Sequence, residues 1–147
     1  MGPDRWAAER SIEQLLTEQT PAEFLGNIAK FSGDLKSLKA IVCCAKERCI
    51  KVAAADLLDN IPESFNDLDA LLHMINYSSS SVCRNGAKAQ MLGRIPFVFD
   101  YVALEFIVVN AEDREIRSLA ASQLIHALRD PAKPGTTNGG NSGNSQP

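Results

Sequence analysis

The residues of this chain that could act as nucleophiles, bases or metal ligands are sparse: four cysteines, Cys43, Cys44, Cys49 and Cys83, and two histidines, His73 and His126. A structural zinc site usually draws on two close ligand pairs such as C-x-x-C, and no such pair occurs here. Cys43 and Cys44 are adjacent and point about 100° apart on a helix, while Cys83 stands at a position that is otherwise isoleucine in the pattern described below. The cysteines are therefore expected to pack in the core, with no metal. Covalent catalysis needs a nucleophile within reach of a base, and acid–base hydrolysis a pair of carboxylates. Neither histidine lies in a recognisable motif, and the chain has no phosphate-cradling glycine loop, dinucleotide fingerprint or metalloprotease helix. No catalytic residue and no cofactor is assigned on these grounds.

The cations, by contrast, form a pattern. Lys51, Arg84 and Arg117 recur at intervals of 33 residues, and three cations along one ridge could grip an acidic partner. Each also stands four residues after Glu47, Ser80 or Asp113, the spacing for a local pair on a helix. Arg84 has only a serine in that place, so its charge is expected to be the freer one, and Lys88 one turn on extends the ridge. A second candidate contact is the segment 95–101, IPFVFDY. Its aromatics Phe97, Phe99 and Tyr101 either offer an exposed apolar contact, or Phe97 and Tyr101 seal the junction between neighbouring repeats. The binding residues expected from sequence are thus Arg84, Lys88, Phe97, Phe99 and Tyr101.

What must position these residues is a repeat, since a fixed period of 20 to 50 residues marks stacked supersecondary units. Leu38, Leu71 and Leu104 are 33 apart, as are Ile41, Met74 and Ile107, then Val42, Ile75 and Val108, then Ala45, Ser78 and Ala111. The spacing i, i+3, i+4, i+7 is one face of a helix. A second helix repeats with Ile50, Cys83 and Ile116, then Ala54, Ala87 and Ala120, then Leu58, Met91 and Leu124. The period predicts helix pairs over 34–46 with 48–61, 67–77 with 81–95, and 98–111 with 114–129. Small residues at 54, 87 and 120 would let the two helices of a pair approach closely. Ser80 and Asp113 are placed to cap the second helices, and Glu47 is a poorer cap. Two further helices, about 4–19 and 21–31, precede the repeats, and Thr20-Pro21-Ala22-Glu23 reads as a capping box with proline at the first helical position. The expected organisation is an N-terminal helical cap over 1–33, three repeats over 34–130 and a disordered tail over 131–147. That last stretch has no large apolar residue and one charge, Lys133.

Three segments, CIKVAAADLLDNI at 49–61, VCRNGAKAQMLGRI at 82–95 and EIRSLAASQLIHAL at 115–128, resemble the second helix of HEAT repeats. The likeness is to the short form found in phycobilin lyase subunits and related cyanobacterial proteins, with a basic residue, then a small one, then Leu or Met at helical spacing. It covers about 34–129. It implies an all-α, right-handed α-solenoid of HEAT-like helix pairs. As an alternative function it implies a phycobilin lyase subunit or relative, handling a bilin chromophore and its phycobiliprotein. The acidic residue usual at the turn is matched by Asp113 and loosely by Glu47, not by Ser80, and Gly86 departs from the pattern in a way that puts the regularity of its helix in question.

Composition agrees with the class. At 147 residues, 45% hydrophobic and only 6% aromatic, the core must be built from Leu, Ile, Val and Ala, which favours close-packed helices. A net charge of -3 argues against a general phosphate-backbone binder. The apolar runs are too short to span a bilayer, and thiols without a leader point to the cytoplasm. The expected function is a non-enzymatic scaffold or adaptor that binds another protein, with neither nucleic acid nor membrane as partner.

Overall fold

The computed structural model describes the backbone of residues 3–129 and the side chains of residues 10–129. Residues 131–147, expected to be a disordered tail, lie outside the described residues. Among the described residues every element is helical: α1 (Pro3–Glu18), α2 (Pro21–Asn27), α3 (Leu35–Cys44), α4 (Arg48–Leu58), α5 (Leu68–Tyr77), α6 (Ser81–Arg94), α7 (Tyr101–Asn110) and α8 (Arg114–Arg129). Short 3-10 turns follow α2, α4 and α6 at Ile28–Phe31, Pro62–Asn66 and Ile95–Phe97.

The helix pairs fall where the 33-residue period puts them, and their ends have local causes. A column of aspartates, Asp34, Asp67 and Asp100, caps the first helix of each pair: their carboxylates accept from Ser37 N, from Ala70 N, and from Val102 N and Ala103 N. Such a bond satisfies an amide that the helix itself cannot. Each first helix stops at Ala45, Ser78 or Ala111, where the backbone turns extended while the residue's N–H still bonds back to Ile41, Met74 or Ile107. The second helices open as expected, with Ser80 Oγ accepting from Cys83 N and Asp113 Oδ1 from Ile116 N, and with no side-chain cap from Glu47. Thr20 and Glu23 complete the capping box of α2. Gly33 takes a positive φ of 81°, the left-handed turn that lets the chain leave the first 3-10 turn and enter α3.

The repeat columns are the core. Leu38, Leu71, Leu104, Ile41, Met74 and Ile107 are buried, as are Ile50, Cys83, Ile116 and the small residues Ala54, Ala87 and Ala120. The chain divides into two compact units, one ending at Lys88 and the other beginning at Ala89, so the division falls inside α6. In the first unit α1 packs on α3, α2 and α3 on α4, and α5 on both α3 and α4. From Ala70 to Asn76 every residue of α5 is buried, polar His73 and Asn76 included. In the second unit α7 packs against α8, and α8 also packs on the 3-10 turn Ile95–Phe97.

Gly86 does not interrupt α6, which runs unbroken through it. A methyl group placed there meets nothing within 4 Å. Gly86→Ala should therefore raise stability by about 0.5 to 1 kcal/mol, because alanine has less backbone freedom to lose on folding. Chemical denaturation checks this, and an unchanged or lowered midpoint would mean that the glycine has a local role.

Candidate interaction surface

The basic column is tied into the backbone. Arg84 Nη1 donates to the carbonyl of Ser78 at 2.7 Å, and Arg117 Nη1 to the carbonyl of Ala111 at 2.9 Å. Lys51 Nζ donates to the Val42 carbonyl near the end of α3. Each cation thus reaches back across the turn to the C-terminal end of the preceding helix, where unsatisfied carbonyls and the helix dipole favour positive charge. This corrects the expectation that Arg84 is the freer cation of the ridge. The bond partner is the turn's carbonyl, six residues earlier, which the four-residue spacing did not suggest. Lys51 and Arg48 also sit over the Tyr77 ring, 5.5 and 5.1 Å from its centre, an arrangement in which the ring face attracts the cation. Lys88 is half-buried on the same helix as Arg84.

Phe97, Phe99 and Tyr101 do not act together. Phe97 is 80% exposed and so seals no junction. Phe99 is half-buried, its ring 6.0 Å from that of His126. Tyr101 opens α7, and its hydroxyl donates to the Ala127 carbonyl at 3.4 Å. Gln123 Nε2 donates to the Val98 carbonyl at 2.8 Å, fixing the same segment to α8.

The feature missed from sequence is the outer face of α7, YVALEFIVVN. Its inner face buries Leu104 and Ile107. The opposite face carries Val102, Phe106 and Val109, at i, i+4 and i+7, and Val102 and Val109 are 75% and 73% exposed. Glu105 is the one charged residue in the helix. A helix apolar all round is ordinarily buried on all sides, and α7 is not. On α8, Ile125 and Leu128 are also about half exposed. The signal was legible as a helix in which apolar residues occupy both faces, but the search for apolar columns used only the inward one.

The thiols divide by position, which corrects the expectation that they all pack in the core. Cys83 is buried, and burial pushes its thiol up from the ordinary value. Cys44 is half-buried, while Cys43 and Cys49 are exposed. Cys43 Sγ lies 3.7 Å from His73 Nε2. Burial holds the His73 imidazole down at about 4 against an ordinary 6.5, with Lys39 and Lys51 pushing the same way and Asp67 opposing. Lys39 Nζ bonds Asp67 at 2.7 Å and lies 4.0 Å from Asp69. Asp67 is half-buried, and although burial raises its carboxyl, the bonds from Lys39 and from Ala70 N–H leave it below the ordinary 3.8. Nearby, Asp56 on α4 accepts from Ser79 N at 2.9 Å and from the hydroxyls of Ser79 and Ser78 at 2.7 and 3.3 Å. These bonds fasten the turn Ser78–Ser80 to α4.

Comparison with family models, with curated proteins and with solved structures finds no match to this chain. The chemistry of the site is therefore read from its own residues. Among the described residues no group of three His, Cys, Asp or Glu side chains is placed to hold a metal ion, and no helix is long and apolar enough to cross a membrane. A groove of about 720 Å³ opens in the first unit beside α1 and α2, lined among others by Glu13, Thr17, Phe24, Cys44, Glu47 and Ile50. Its lining mixes opposite charges and apolar atoms without a convergent set of polar groups, so it specifies no ligand class.

Proposed function

We propose that the chain is a non-enzymatic interaction module, a HEAT-like array of three helix pairs in a right-handed solenoid, that binds another protein through the outer face of α7. The observation that carries the reading is the exposure of Val102 and Val109 on one ridge of an otherwise apolar helix. Isolated exposed valines are ordinary, whereas an apolar ridge one helix long is the kind of surface that partners cover. The repeat register adds to this. Val109 stands 33 residues after Asn76 and 66 after Cys43. Asn76 is buried and Cys43 of α3 touches His73 of α5, so the column is one through which a helix meets what lies next to it. In α7 that column is apolar and exposed. Phe97, close before α7 in the chain, is the natural extension of such a surface.

A partner cross-linked in the native source, then purified and titrated, tests the reading. Val102→Lys with Val109→Lys should leave the melting temperature nearly unchanged, since exposed positions rarely shift stability by more than about 0.5 kcal/mol. Binding should weaken about 100-fold, as expected when two central apolar contacts of about 1 to 2 kcal/mol each are lost. Arg84→Glu with Lys88→Glu is the comparison variant. If it abolishes binding while the α7 variant binds like wild type, the partner sits on the central basic ridge instead.

A further inference from the structure

We propose that Cys43 is a reactive thiol that forms mixed disulfides with small disulfide compounds, its thiolate held by a hydrogen bond from neutral His73 and by the positive field of Lys39 and Lys51. Cys43 is exposed, so a small disulfide can reach it. Its sulfur lies 3.7 Å from Nε2 of an imidazole that is itself buried. That imidazole stays neutral down to about pH 4. It therefore cannot hold the thiol proton, which leaves to water, but with its own proton on Nε2 it can donate to the sulfur.

The charges around this pair come from three elements. On α3, Lys39 is one turn before Cys43 and neutralises Asp67 and Asp69 at the start of α5. On α4, Lys51 Nζ occupies the carbonyl of Val42, next to Cys43, and Arg48 Nη2 donates to the Asn76 carbonyl at 3.4 Å. The C-terminal end of α3 would by itself disfavour an anion, and Lys51 offsets that end at its source. Thiolates are the nucleophilic form, and nearby cations and hydrogen-bond donors favour them. In the step itself the Cys43 thiolate attacks one sulfur of the incoming disulfide. That S–S bond breaks with its electron pair on the departing sulfur, which leaves as a thiolate, and the new bond joins Cys43 to the retained half.

The test treats the whole protein with oxidised glutathione, quenches by alkylation and follows each cysteine-containing peptide by mass spectrometry. Cys49, also exposed, is the internal standard. Cys43 should react about threefold faster, because a tenfold larger thiolate fraction is partly offset by the weaker nucleophilicity of a more stable thiolate. His73→Phe should bring Cys43 down to the rate of Cys49, and Lys39→Met should lower it without touching the imidazole. The rate should rise with pH through one ionisation. Equal rates at Cys43 and Cys49 in the wild-type protein would overturn the proposal whatever the variants do. An unchanged Cys43 rate in a folded His73→Phe protein, or a second limb in the pH profile from a titrating imidazole, would do the same.

Discussion

Stability should fall by about 3 kcal/mol as the pH is lowered from 6.5 to 4, and His73 should account for the loss, since each unit of difference between folded and unfolded values is worth about 1.4 kcal/mol. The imidazole is buried and held at about 4, against 6.5 when exposed. A base whose folded value is depressed binds its proton more readily in the unfolded chain. The contribution is therefore fully present above pH 6.5, declines as the unfolded state takes up a proton, and reaches its floor near pH 4. Two lysines within range, Lys39 and Lys51, deepen the effect, because a charged His73 would face both. Asp67 cannot account for the same window, since its carboxyl is held below 3.8 and its own loss begins only in stronger acid. Denaturant titrations at pH 7, 5.5 and 4 measure the slope, with His73→Phe as the reference; phenylalanine already fills this column at Phe106. Parallel pH curves for wild type and variant would show that His73 is not the group responsible.

Ala120→Leu should destabilise the protein by about 1 to 3 kcal/mol through overpacking. Ala120 has no exposed surface and lies on α8, whose neighbour in the fold is α7. Three added carbons must displace either the facing side chains or the helix axis, and close-packed interiors yield little. Ala54→Leu, on the α4 side of the α3–α4 pair, should behave alike, and so should Ala87→Leu at the third fully buried position of the column. For a chain of this size each kcal/mol lowers the melting temperature by about 2 to 4 °C. Should all three variants melt with the wild type, the column does not mark the contact and the repeat register is misplaced.

Much of this architecture follows from local pattern alone. The period of 33 residues, the helix pairs and the small column at Ala54, Ala87 and Ala120 are written in residue types at fixed spacing, because burial along a helix face demands apolar side chains at i, i+3, i+4 and i+7. The capping aspartates Asp34, Asp67 and Asp100 are equally periodic, and were legible for the same reason, although only their hydrogen bonds drew attention to them. What a pattern along the chain cannot state is which groups meet across it. Cys43 and His73 are 30 residues apart and Lys39 and Asp67 are 28 apart; these contacts exist because α3 and α5 pack together. The hold of Arg84 on the Ser78 carbonyl depends on the path of the turn, to which side-chain spacing is blind. Exposure is decided at the same level. Val102 and Val109 are apolar residues on a helix just as Leu104 and Ile107 are, and only the packing of α7, which covers one of its faces, separates the pair that builds the core from the pair that meets solvent.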